Sequence, residues 1–154
     1  MRTRVVLLAS VTSLALFTLA ACSGDTDGKS DAKAAAATQT VELKVADSEV
    51  GKILVDQSGR TVYGFTEDKD GASSCTASCI AVWPALTSAK DVTVQKGIDK
   101  SLLTKVKRAE GAIQVSYKKW PLYYYAGDMV PGDVNGQGVD KEWFAVAPDG
   151  SLVK

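Results

Sequence analysis

Histidine is absent from all 154 residues of this chain. With it go the commonest general base, the commonest metal ligand and every Ser-His or Cys-His catalytic arrangement. Excess positive charge is missing as well. Lysine plus arginine and aspartate plus glutamate number 18 each. With no basic cluster to neutralise phosphates, this balance argues against nucleic acid as a partner. The longest apolar run, Val5 to Ala20, is too short and too diluted with Ala, Thr and Ser for a comfortable membrane span. The three cysteines and two methionines are too few for a sulfur-rich copper site. No histidine follows a cysteine pair, as c-type haem attachment requires. No cofactor and no metal are expected.

What the first segment does contain is an address. Arg2 and Arg4 precede the apolar run, which ends in Leu19-Ala20-Ala21-Cys22. Residues 1–21 read as a signal peptide, and the small residues before Cys22 resemble the lipobox of bacterial lipoproteins. That resemblance implies cleavage before Cys22, a diacylglycerol thioether on its sulfur and an amide-linked acyl chain on its nitrogen. At about 0.8 kcal/mol per buried methylene, such chains together hold a protein on a membrane where one would not. The expected location is the extracytoplasmic side of the cell membrane, lipid-anchored. Residues 22–40 carry no aromatic and no large aliphatic side chain, so they cannot bury enough surface to offset ordering, and they read as a tether.

Residues 41–154 suit one domain with one core. A stretch from about 51 to 83 recurs from about 111 to 143. A shift of sixty residues, with no gap, lays Gly51 on Gly111, Ile53 on Ile113, Val55 on Val115, Tyr63 on Tyr123, Phe65 on Tyr125, Asp68 on Asp128 and Trp83 on Trp143. Glycines, aliphatics and aromatics set turns and fill cores, so the match denotes a shared supersecondary unit. Val41 to Val45 alternates as an amphipathic strand. Residues 53–55 and 61–65 flank a turn-rich Asp56-Gln57-Ser58-Gly59 and read as a hairpin. Residues 113–116 and 122–125 repeat the pattern around Lys118-Lys119-Trp120-Pro121. Leu103 to Arg108 leads through Ala109-Glu110-Gly111 into a further hairpin, and Ile98 to Leu102, capped by Asp99, adds one helical turn. Because Leu54 becomes Gln114 under the shift, the odd positions of this strand are assigned to the core. The fold class is all-β, a sandwich or barrel-like domain built from two similar β repeats with at most one short helical turn.

Tyr63-Gly64-Phe65-Thr66-Glu67-Asp68 and Tyr123-Tyr124-Tyr125-Ala126-Gly127-Asp128 both fit Tyr-x-(Phe/Trp/Tyr)-x-x-Asp. Cys75-x-x-x-Cys79 and Trp83-Pro84 follow the first copy; Pro131-Gly132-Asp133 and Trp143 follow the second. Together these residues resemble the bacterial secreted-repeat lipoproteins, a family of uncharacterised function. The resemblance implies an envelope location and a two-copy β domain, and it transfers no catalytic residue.

With Cys22 acylated, Cys75 and Cys79 are the pair left in an oxidising compartment and are expected to form a disulfide. A redox-active pair is the alternative, although the spacing is not Cys-x-x-Cys and Thr76-Ala77-Ser78 supplies no cation to stabilise a thiolate. Asp68-Lys69-Asp70-Gly71 fails the helix-loop-helix calcium pattern at Thr66 and Ala77. A non-helical calcium site at Asp68, Asp70 or Asp128 competes with the simpler role of accepting backbone N–H bonds. A glycosidase would use Asp68 and Asp128 as its two acids. Twin motifs place them in equivalent environments, whereas acid-base division needs unequal ones. Tyr63, Tyr123 and Tyr125 are assigned to the core with Phe65, and Tyr124, on the other face, to an exposed contact. The resulting expectation is a non-enzymatic binding or structural module contacting an envelope protein or polymer. A thiol-disulfide or electron-transfer accessory is the first rival and a hydrolase the second.

Overall fold

The structure, a computed structural model, describes residues 40–154; the stretch expected to be a signal peptide, Cys22, and the expected tether up to residue 39 lie outside the described residues. Strand β1 (Glu42–Ser48) pairs antiparallel with β2 (Gly51–Val55), bringing Lys44 opposite Val55 and Ser48 opposite Gly51. Val41 and Leu43 are buried on one face, as the alternation requires. Strand β3 (Tyr63–Phe65) pairs with β8 (Trp143–Ala145), and β4 (Thr93–Val94) lies parallel to β1. Strand β5 (Leu103–Lys107) forms a hairpin with β6 (Ile113–Tyr117), which also pairs with β7 (Trp120–Pro121). The domain is therefore all-β, three small sheets made from two repeats.

Among the described residues, helical structure is confined to single turns. The turn expected near residue 100 is the 3-10 segment Lys100–Leu102, with the Asp99 carboxylate accepting from Ser101 N. A five-residue helix α1 (Ser78–Val82) and a second 3-10 turn, Val139–Lys141, had no sequence signal. Among the described residues no helix is long and apolar enough to cross a membrane.

The two halves are related by an approximate two-fold that passes between the paired tyrosines. Tyr63 N donates to Tyr123 O at 2.8 Å and Tyr123 N to Tyr63 O at 3.0 Å. Around this bridge the bonds come in pairs sixty residues apart. Thr66 N to Glu142 O and Ala126 N to Val82 O are both 2.9 Å, while Leu86 N to Leu122 O and Val146 N to Val62 O are 2.9 and 3.2 Å.

Two expectations need correction. The first hairpin closes at the Val55–Thr61 bridge, but Tyr63–Phe65 then leaves it to pair with β8, because the repeats interlock instead of folding separately. The gapless register also fails inside one strand. Leu54 N bonds Val146 O where Val115 N bonds Leu86 O, so Leu54 is matched by Val115 and not by Gln114. Two turns compensate: Glu49-Val50 joins β1 to β2 where Ala109-Glu110-Gly111 makes the equivalent link, and the turn from Val55 to Thr61 is one residue longer than that from Ser116 to Pro121. Assigning only odd positions to the core was therefore wrong. Leu54 and Gln114 are both fully buried. Leu54 joins one apolar cluster with Leu43, Val62, Leu86 and Leu122. Ile53, Val55, Tyr63, Trp83, Tyr123 and Trp143 build a second.

Candidate functional site

The second cluster holds both copies of the aromatic-acid motif, and its rings meet across the two-fold. Trp83 and Trp143 stack with centroids 3.8 Å apart and planes 2° apart. Phe65 of the first copy stacks on Trp143 of the second at 4.1 Å, and Tyr125 of the second lies on Trp83 of the first at 4.5 Å. The result is one four-ring column, Phe65–Trp143–Trp83–Tyr125. Tyr63 and Tyr123 brace it edge-on, 5.5 Å from Trp83 and 5.2 Å from Trp143. The edge-on contacts of Tyr63 and Tyr123 suit the ring quadrupoles and add about 0.5–1.5 kcal/mol per pair beyond burial. Gly136 admits the column's edge, since a Cβ there would come within 2.9 Å of Tyr63 and Trp83 ring carbons.

The acids are exchanged in the same way. Tyr63 Oη donates to Asp128 Oδ2 and Tyr123 Oη to Asp68 Oδ2, each at 2.7 Å, so each tyrosine serves the aspartate of the other repeat. The remaining oxygen of each acid holds its own loop. Asp68 Oδ1 accepts from Ser74 N at 2.7 Å and Asp128 Oδ1 from Asn135 N at 2.9 Å. Both aspartates thus accept backbone amides, the ion-free alternative considered for them. Among the described residues no group of three or more acidic or sulfur side chains converges as a metal site.

The environments of the two acids differ, against the expected equivalence. Asp68 is buried, whereas Asp128 is half-buried. Burial pushes the Asp68 carboxyl above its ordinary range, opposed by bonds from Ser74 and Tyr123 and by the Arg108 charge. Burial also raises Asp128, opposed by Tyr63 and Asn135. Tyr63 and Tyr123 lie far above the ordinary tyrosine value because their phenols are buried and face carboxylates. Each pair therefore favours a phenol donating to a carboxylate, an arrangement that holds structure and leaves neither group free for proton transfer.

Sequence reasoning missed Arg108. It comes from the β5–β6 turn, is buried, and its guanidinium donates to Ser73 Oγ at 2.6 Å, Cys75 O at 2.7 Å and Gln114 Oε1 at 2.8 Å, with an ion pair to the exposed Glu110. Gln114 in turn donates to Leu122 O at 2.9 Å. A glutamine amid an apolar strand was the available signal, because a buried amide demands partners.

Tyr124 also differs from expectation. It is half-buried, its Oη donates to Asp56 Oδ2 at 2.8 Å, and Arg60 lies over its ring, so it is not a free surface aromatic. Phe65 and Tyr125 are half-buried at the two ends of the column, while Tyr63 and Tyr123 are fully buried.

Cys75 and Cys79 form a disulfide across the start of α1. Cys75 is buried, which directs thiol attack to the half-buried Cys79. Closing so short a loop limits the unfolded chain by about 2 kcal/mol in the chain-entropy model. Cys75→Ala with Cys79→Ala is expected to lower stability by about that much while the far-ultraviolet circular dichroism stays native-like. Unchanged thermal stability together with loss of a thiol-exchange activity would overturn the structural role.

Fold and site define a duplicated all-β repeat whose halves close on each other through a shared aromatic column. A family model described as a secreted repeat of unknown function matches residues 44–87 and 104–147, again sixty apart and covering more than half of the chain. The chain belongs to that family, which places it outside the cytoplasm. No curated protein and no solved structure matches it.

Proposed function

We propose that the chain is a lipid-anchored binding module of the cell envelope, held by an acylated Cys22, with the β domain displayed on the extracytoplasmic side to contact an envelope protein or polymer. The observation that supports a non-enzymatic role is the exchange of tyrosine-aspartate bonds between repeats. It engages the motif's titratable groups in holding the halves together and fixing the loops after Asp68 and Asp128. A hydrolase needs an acid and a base of opposed pKa shifts facing a cleft, whereas here burial raises both aspartates and each already accepts a phenol. A thiol-exchange accessory needs an accessible, activated sulfur, whereas Cys75 is buried and Cys79 half-buried.

The anchor is tested by Cys22→Ser. This variant is expected to lose acylation and to move from the membrane fraction to the soluble fraction or stall as uncleaved precursor, with mass spectrometry of the N-terminus reading the change. An unmodified chain starting elsewhere in the wild type would remove the lipoprotein reading. Crosslinking in intact cells, followed by identification of the captured species, tests the binding role.

A further inference from the structure

We propose that the groove beside the Asp56–Arg60 turn is a binding site for a carboxylate-bearing ligand, anchored by the Arg60 guanidinium. The Arg60 Cζ lies 3.8 Å from the centroid of the Tyr124 ring, and no guanidinium N–H has a protein acceptor among the described residues. Stacking occupies one face of the planar group and leaves its edge to solvent. That edge is the fork that binds a carboxylate through two parallel N–H bonds.

The arrangement is fixed from below. Asp56 is buried; its Oδ2 accepts from Tyr124 Oη at 2.8 Å, and its Oδ1 accepts from Ser58 N at 2.8 Å and Arg60 N at 3.0 Å. One carboxylate therefore sets both the ring that supports the guanidinium and the backbone that carries it. A group held in place before binding loses less freedom when a ligand arrives. The adjoining groove, walled by Ser58, Pro84, Ala85, Thr87 and Tyr124, has a volume of about 420 Å³, within the usual range for small-molecule sites.

The second repeat is an internal control. At the two-fold-related positions Arg60 is replaced by Trp120 and Tyr124 by Gly64, and a Cβ on Gly64 would meet Trp120 side-chain atoms at 3.2 and 3.3 Å. The same unit thus closes with a simple aromatic cover and a shorter turn. Asp56 and Tyr124 hold the longer turn, but a guanidinium at position 60 is not needed for closure, and its presence in one half alone marks that half for recognition. Asp56 and Arg60, both lining the groove, cancel in formal charge, so the open guanidinium fork and not a net positive charge is what selects a carboxylate. Lys44 is near, with its Nζ 3.2 Å from Gln57 O, but it already faces Glu42 at 3.8 Å. A peptide terminus and a sugar acid both present this chemistry.

This inference rests on the reading of the chain as a binding module and is independent of the anchor, so Cys22→Ser can fail without touching it. The experiment uses the full chain in an uncharged detergent, with side-chain nitrogen NMR of Arg60 during titration by acetyl-alanyl-alanine, its C-terminal amide, glucuronate and glucose. A saturable shift of the Arg60 Nε–H with one or both acids, and none with the amide or glucose, is the expected result; the better acid identifies the source. Arg60→Gln should abolish binding, and Arg60→Lys, which keeps charge but loses the fork, should weaken it roughly tenfold. Arg60 is exposed, so each variant should lose at most its contact with the Tyr124 ring and lower the melting temperature by no more than a few degrees. An unshifted Arg60 at tens of millimolar acid, equal binding of acid and amide, or undiminished binding by Arg60→Gln would each overturn the assignment.

Discussion

Trp83→Ala is expected to lower unfolding free energy by about 3–5 kcal/mol, a large share of the roughly 5–15 kcal/mol that holds a typical domain. Trp83 sits inside the column, in face contact with Trp143 and Tyr125 and edge contact with Tyr63. Removing it empties a space that belongs to both repeats. Partial collapse cannot refill it, because Tyr63 is tied to Asp128 and the Tyr63–Tyr123 backbone bridge pins the strands. Denaturant unfolding followed by circular dichroism, which does not depend on the lost indole, measures the effect. Val82→Ala, one residue earlier but exposed, is the control and should change stability by no more than about 0.5 kcal/mol. A loss under about 1 kcal/mol at Trp83 would mean that the column is not central to the fold.

The partners of that column were only half legible in the sequence. The sixty-residue shift names Trp83 and Trp143, Tyr63 and Tyr123, because glycines and aromatics survive wherever a turn or core demands them. It cannot say that they pair with each other. Tyr63 and Asp68 are five residues apart and read as one local motif, yet the tyrosine reaches Asp128. A contact across a two-fold leaves no periodicity along the chain.

The register error has a similar origin. One extra residue at Ala109-Glu110-Gly111 and one in the Asp56–Arg60 turn cancel, so a comparison without gaps stays in phase on both sides of β2 and β6 while being wrong within them. In a strand, a slip of one exchanges the two faces. Leu54 was thus set against Gln114, and a buried glutamine was read as the mark of an outer face. The actual counterpart of Gln114 is Ile53. What replaces that isoleucine is a polar network, Gln114 with Arg108, which ties the loop carrying Ser73 and Cys75 to the second repeat.

That loop also depends on Asp68, and Asp68→Ala is expected to be destabilising by about 1–3 kcal/mol, the cost of leaving the buried Tyr123 hydroxyl without its acceptor while the exposed Ser74 donors turn to water. The carboxylate accepts from Tyr123 Oη, Ser74 N and Ser74 Oγ. Asp128→Ala should be milder, because Asp128 is half-buried and water can reach the groups it leaves. If the crossed bonds act as argued, Tyr123→Phe and Asp68→Ala will be non-additive, the double variant losing less than the sum of the two, whereas Tyr123→Phe with Asp128→Ala will add. Equal coupling within each motif would contradict the exchange. The pH dependence supplies an independent reading. Burial places the folded-state Asp68 carboxyl above the ordinary aspartate value of 3.8, so the folded chain holds its proton to higher pH than the unfolded chain. The stabilisation from that proton is complete below the unfolded value and is lost as pH rises through the folded one. Asp68→Asn, which cannot titrate, should remove this part of the slope. Tyr63 and Tyr123 follow the same sign above the ordinary tyrosine value of 10.0: their contribution is complete below it and disappears as alkali forces the phenols to ionise. An absorbance titration should therefore find their ionisation coincident with unfolding, and a normal phenolate transition of every tyrosine in the still-folded chain would show that the clasp is open to solvent.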